Sequence, residues 1–371
     1  MTGTPPDVVC LGESMVTFLP TRPGRLADVP SFDRAIGGAE SNVACALAAA
    51  GYRAKWVGRV GDDGFGDHLT EAIGAYGVDV SAVVRDPARP TGVYFRTATD
   101  RAAHGHETAY YRAGSAASAM SPRTVPYGTL ADARILHLSG ITAALSDSCL
   151  ALMRALTARC GWPGRRPPVS FDVNFRPGLW ADAAAGGRVL LDLARGADLV
   201  FVGADEAESA WGIGDPSAIR AALPEPAVLV VKRAGDGATV YARRADAPAT
   251  VYARRADAPA PGGAGRGTDG AAARDTVTHV PAPRVDVVAP VGAGDAFAAG
   301  FLAGTLRGLG VAARARHGHL MAAAALTVPG DIAAPAGRAR LDRLVALDDE
   351  AWGTLHLGPG WTGEDQEVRT P

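Results

Sequence analysis

Lysine is almost absent from these 371 residues: only Lys55 and Lys232 occur, and arginine supplies the other 35 of the 37 basic side chains. Acidic residues balance them to a formal net charge of −2. No global positive field is available to hold a polyanion, so nucleic acid is not an expected partner. Cysteine is scarce as well. Cys10, Cys45, Cys149 and Cys160 form no Cys-x-x-Cys pair, which argues against a zinc site or a disulfide framework and fits reduced thiols in the cytoplasm. The eight histidines show no ligand spacing. His317 and His319, two apart in a helical stretch, point to different faces, so no metal site is expected. Long uncharged apolar runs are missing too. The most apolar window, Val287–Leu306, carries Asp295 near its centre, where a charge costs about 2.5–3.5 kcal/mol in a bilayer, so no membrane span is expected. Met1–Asp7 has no basic stretch and the apolar run that follows is broken by Glu13, so no secretory leader is expected.

Glycine and proline are abundant, at 46 and 26 residues, and hydrophobic residues make up 47% against 20% charged. That balance builds a sizeable core. Short apolar runs (Val8–Leu11, Lys55–Val60, Ile135–Ser139, Val169–Val173, Leu199–Val202, Ala227–Lys232) alternate with helical stretches, including Glu40–Ala50, His68–Tyr76, Asp295–Leu306 and Ala312–Leu326. The βαβα rhythm predicts an α/β fold with a doubly wound, mostly parallel sheet flanked by helices. Thr91–Arg96 and Thr108–Arg112 read instead as antiparallel strands of a small separate sheet. An eleven-residue sequence, TVYARRADAPA, occurs twice in tandem at Thr239–Ala249 and Thr250–Ala260. Two identical copies do not make a solenoid. One copy is expected to finish a hairpin strand, and the rest of 242–274 to be a disordered insertion. Residues 358–371 are expected to form a flexible tail.

The strongest chemical signal is Val291-Gly292-Ala293-Gly294-Asp295-Ala296-Phe297, which opens a helix after a strand-like stretch at Val285–Val288. Glycines let backbone amides approach a ligand, and a helix N-terminus favours an anion. A carboxylate there lies within reach of a hydroxyl nucleophile. A plain capping role for Asp295 is the alternative. The glycine spacing does not match a dinucleotide fingerprint, and neither lysine sits in a Walker A loop.

Together with Gly37-Gly38-Ala39-Glu40-Ser41-Asn42 and Gly58-Arg59-Val60-Gly61-Asp62-Asp63-Gly64-Phe65-Gly66, this motif makes the sequence from about Val8 to Leu344 resemble the ribokinase-like (phosphofructokinase-B) carbohydrate kinases. The resemblance implies a single kinase domain over 1–357, with a small β-sheet lid drawn from about 14–36 and 91–113. It also implies transfer of a phosphoryl group from ATP, with Mg²⁺, to a sugar hydroxyl. Asp295 matches the catalytic base, and Gly292, Ala293 and Gly294 match the anion hole. Both roles suit a reaction governed by positioning and electrostatics.

Two further stretches bear on the substrate. Tyr110 and Arg112 share one side of a lid strand, with Tyr94 on the neighbouring strand. An aromatic hydroxyl plus a guanidinium fork suits a sugar acid. Asp172, Asn174 and Arg176 follow a buried strand with period two, at the end where α/β sheets bind ligands. These stretches, with Ser139-Gly140-Ile141-Thr142 and Phe201-Val202-Gly203-Ala204-Asp205-Glu206, resemble those of 2-keto-3-deoxygluconate kinases. The resemblance implies a substrate site of Gly37, Gly38, Asn42, Tyr94, Tyr110, Arg112, Ile141 and Arg176. It implies a nucleotide side of Asp172, Asn174, Glu206, Lys232 and Gly237. Fructokinases share the Asp-x-Asn-x-Arg element and are the alternative; a non-catalytic sugar sensor on a kinase fold is another. Ala289 stands where the family usually has an Asp that helps hold a monovalent cation, so a potassium requirement is not expected. Exposed lid edges favour pairing between subunits, and a homo-oligomer is expected.

Overall fold

The computed structural model describes residues 4–22, 24–97, 107–243 and 275–363. Its centre is an eight-stranded sheet in the order Asp275–Val280, Ala238–Arg243, Val228–Lys232, Leu199–Gly203, Val169–Asp172, Ile135–Ser139, Val8–Leu11, Ala54–Val57. The six strands from Val228–Lys232 to Ala54–Val57 pair in parallel, and the first two form an antiparallel hairpin extension. The central strands are apolar and buried along their length, as expected where helices cover both faces. On one face Val8, Cys10, Trp56, Phe201 and Val230 pack with Phe297, Phe301 and Leu320. On the other, Leu11, Phe171, Val200 and Leu229 pack with Leu152, Leu190 and Leu193. Strand order reverses between Val8–Leu11 and Ile135–Ser139. Such a reversal opens a crevice at the carboxyl ends of the strands.

A four-stranded sheet in the order Phe32–Gly37, Met15–Pro20, Val93–Arg96, Thr108–Tyr111 stands apart. Val93–Arg96 and Thr108–Tyr111 pair antiparallel, as their sequences predict. Alternation splits their aromatics between faces. Phe95 stacks on Phe18 at 4.7 Å between ring centroids, and Tyr94 stacks on Tyr110 at 5.4 Å.

Several boundaries differ from the sequence expectation. The helix expected at His68–Tyr76 spans Gly64–Ala75, because the Asp63 carboxylate accepts from the Phe65 and Gly66 N–H groups and caps it a turn earlier. Lys55–Val60 is two strands, Ala54–Val57 and Arg59–Gly61; the second leaves the main sheet to pair with Val84–Asp86. The stretch Val285–Val288 reduces to Arg284–Val285, paired with His356–Leu357, and leaves Val287 and Val288 exposed. The flexible tail expected from Gly358 does not begin there, because Trp361 is buried in the core. Residues 364–371 lie outside the described chain, as do residues 244–274 with the whole second repeat copy; Thr239–Arg243 of the first copy finishes the hairpin strand. Among the described residues no helix is long and apolar enough to cross a membrane.

Candidate functional site

The helix Ala293–Leu306 begins after Gly292, whose φ of +72° is left-handed. A Cβ at Gly292 would stand 2.0 Å from the Asp331 carbonyl oxygen, so only glycine fits the turn. Asp295 lies in the first helical turn but does not cap it. Its carboxylate instead accepts from Asn42 Nδ2 at 2.9 Å. Burial pushes the Asp295 pKa up to about 7; the Asn42 hydrogen bond opposes this, the charge of Asp172 adds to it, and Lys232 counters it. A carboxyl poised near neutrality can take a proton from a hydroxyl at working pH.

Asn42 comes from the helix Ala39–Ala49, entered directly from the lid strand Phe32–Gly37 through Gly38. Gly37 leaves room for the Tyr94 hydroxyl, which a Cβ there would meet at 2.2 Å. Asn42 Oδ1 is buried and has no hydrogen-bond partner among the described residues. The residue lines the adjoining space.

That space is a cavity of about 260 Å³ between lid and sheet. All the residues expected around the substrate line it: Gly37, Gly38, Asn42, Tyr94, Tyr110, Arg112, Ile141 and Arg176. Gly292 and Asp295 form its floor, and Ala293 and Gly294 continue the turn beside it. Arg112 lies 5.8 Å from the Tyr110 ring centroid. Arg176 is exposed and donates only to the Phe175 carbonyl, with no ion pair among the described residues.

Three charged cavity residues were missed in the sequence. Glu13 pairs with Arg112. Asp331 accepts from Arg96 Nη2 at 2.6 Å and from the Tyr94 hydroxyl at 3.4 Å. Burial holds the Asp331 carboxyl above its usual range, against the pull of Arg96. Glu13 carried a signal, since it interrupts the first apolar strand run; Arg96 and Asp331 carried none. Below the cavity, Glu40 is buried and accepts from Thr142 Oγ1 at 2.6 Å. Burial pushes its pKa up to about 8.

The residues expected on the nucleotide side divide. Lys232 Nζ donates to Asp172 Oδ2 at 2.8 Å and lies 3.6 Å from where a Cβ at Gly294 would stand. Burial lowers the Lys232 pKa, but Asp172 and Glu206 outweigh it and hold the ammonium above its usual range. Glu206 accepts from the Gly203 N–H at 2.9 Å and from the Phe175 N–H, so it ties two strand ends together. Asn174 has a φ of +46°, which breaks the expected alternation, and it lines the same cavity as the residues expected around the substrate. Gly237 has a reason in the fold alone, since its φ is +102° and a Cβ would meet the Val280 carbonyl at 2.2 Å. His317 and His319 are buried; His319 Nε2 lies 3.1 Å from the Val280 carbonyl. No group of three or more His, Cys, Asp and Glu suited to a metal ion occurs among the described residues.

A family model described as pfkB family carbohydrate kinase matches residues 5–258 and 264–336. A 2-dehydro-3-deoxygluconokinase of Thermoproteus tenax is 37% identical over 238 residues, 63% of this chain and 71% of its own. One of Bacillus subtilis (strain 168) is 33% identical over 332 residues, 88% of this chain and 91% of its own. The crystal structure of a PfkB protein from Polaromonas sp. JS666 superposes with a TM-score of 0.72 at 31% identity, covering 91% of this chain and 99% of that one.

Proposed function

Given that this chain belongs to the pfkB family of carbohydrate kinases and is an ATP-dependent sugar kinase, we propose that its acceptor is a sugar acid, 2-keto-3-deoxygluconate (2-dehydro-3-deoxygluconate), phosphorylated to 2-keto-3-deoxy-6-phosphogluconate. The observation that carries the reading is the lining of one cavity by the Asp295 carboxylate, Tyr110 and Arg112. An aromatic hydroxyl and a guanidinium there match a substrate with hydroxyls at one end and a carboxylate at the other. The names of the two bacterial and archaeal relatives point the same way.

In this reading Asp295 takes the proton from the attacking hydroxyl. Asn42 holds the carboxylate by its Nδ2 and offers Oδ1 to a sugar hydroxyl. The N–H groups of Gly292, Ala293 and Gly294 stabilise charge on the transferred phosphoryl group, aided by the helix N-terminus. Lys232 and Asp172 stand on the nucleotide side. Mg²⁺ arriving with ATP would neutralise phosphate charge. On the nucleotide side, Asp172 Oδ1, buried and without a hydrogen-bond partner among the described residues, would be the oxygen to hold it. Ala289, buried and without a carboxylate, supports turnover that needs no monovalent cation. ATP turnover against 2-keto-3-deoxygluconate, fructose, ribose and adenosine tests the substrate; inert keto acid with active fructose contradicts it.

A further inference from the structure

Arg112 enters the cavity just past the lid strand Thr108–Tyr111, with its side chain 10% exposed. A guanidinium that far from water needs an opposite charge. Glu13, on the turn after Val8–Leu11, provides one. Its side chain is 2% exposed, and Oε2 contacts Arg112 Nη2. The other carboxylate oxygen, Oε1, accepts from Ser115 Oγ at 3.0 Å. Gly92, just before the strand Val93–Arg96, leaves the space for both: a Cβ there would stand 3.2 Å from Glu13 Oε1 and 3.5 Å from Arg112 Cβ. Glu13 is thus fixed from the core side and the lid side at once. Arg112 Nε has no hydrogen-bond partner among the described residues, and both side chains line the cavity.

We propose that Glu13 is a positioning residue: it engages one end of the Arg112 guanidinium and holds the remaining N–H donors in the cavity for the carboxylate of a sugar acid. This rests on the sugar-acid reading above. Arginine's planar fork presents donors beyond those one carboxylate takes, so a second carboxylate can be bound without displacing the first. A guanidinium already oriented loses less freedom when the substrate binds. The expected consequence is a contribution to the affinity for acids that neutral sugars do not feel.

Four proteins test this: wild type, Glu13→Gln, Arg112→Met and the double variant, each checked by thermal unfolding and assayed with 2-keto-3-deoxygluconate and fructose. Glu13→Gln is expected to raise KM for the keto acid about tenfold with kcat within about twofold, and to leave KM for fructose within about twofold. On the Arg112→Met background the same change is expected to have no further effect on that KM. Equal losses with both sugars, or additive losses in the cycle, overturn the proposal. If Glu13→Gln does not fold, Glu13→Asp keeps the charge and withdraws it by one methylene; the same selective rise is expected, and equal loss with both sugars overturns the role. A wild type that phosphorylates fructose and not the keto acid contradicts the sugar-acid reading on its own. The cycle is then read as the rise in melting temperature that the keto acid gives as a ligand, where a loss on Glu13→Gln only when Arg112 is present supports the positioning role and additivity overturns it.

Discussion

Asn42 Nδ2 donates to Asp295 Oδ2 at 2.9 Å across 253 positions of sequence. The bond joins the two glycine-flanked motifs: Asn42 follows the Gly37-Gly38 entry to one helix, and Asp295 follows the Gly292 turn into another. It also sets the electrostatics of the carboxyl, since it is the main stabiliser of charge against burial.

Asp295→Asn keeps the shape and the neighbours but removes the proposed base. It is expected to fold with an unchanged melting temperature and to lose about 10²-fold or more in kcat, with sugar KM little altered. Turnover near the wild-type value removes Asp295 from the base role.

A general base at Asp295 would work ionised, and burial pushes its pKa up to about 7. The kcat/KM for sugar is therefore expected to rise with pH through about 7 and level off above it. Asn42→Ala removes an interaction that lowers this pKa, so the rising limb is expected to move to higher pH, apart from any loss in amplitude. A limb that stays in place contradicts the link between the two residues.

Glu40 gives a stability prediction. Its folded pKa, about 8, lies above the ordinary 4.5. The folded protein holds a proton that the unfolded chain releases, so stability falls as pH rises from about 4.5 through 8. The stabilisation lost is on the order of 3–5 kcal/mol. Glu40→Gln keeps an acceptor for Thr142 and removes that titration. It is expected to match wild type in melting temperature near pH 5 and to exceed it at pH 8. Asp295 and Glu13, both raised by burial, leave a residual slope. A variant less stable than wild type at both pH values contradicts the assignment.

Ala289 offers no carboxylate to a cation beside the Gly292 turn. Replacing potassium by tetramethylammonium at constant ionic strength is expected to leave kcat within about twofold. A loss of tenfold or more points to a cation held by other oxygens.

Much of this was legible in the sequence. Buried strands such as Val228–Lys232 read as continuous apolar runs, and the lid strands read as antiparallel strands of a separate small sheet. The glycine turn at Gly292 and the helix start that carries Asp295 were legible from the Gly-Ala-Gly-Asp pattern. Glu13, Arg96 and Asp331 were not legible as a set, because their partners are remote: Arg96 and Asp331 are 235 positions apart, and Glu13 and Ser115 are 102 apart. The left-handed φ of Asn174 was not legible, because nothing in a period-two pattern announces such a residue at the end of a strand. Gly237 shows a steric need for glycine that the sequence did not announce, a neighbouring backbone carbonyl.

The most direct measurement is the ratio of kcat/KM for 2-keto-3-deoxygluconate to that for fructose, with ATP as donor, in wild type and in Arg112→Met. A wild-type preference for the keto acid that falls by about tenfold or more without the guanidinium is expected. A preference for fructose, or one for the keto acid that Arg112→Met leaves intact, contradicts a sugar-acid site built on Arg112.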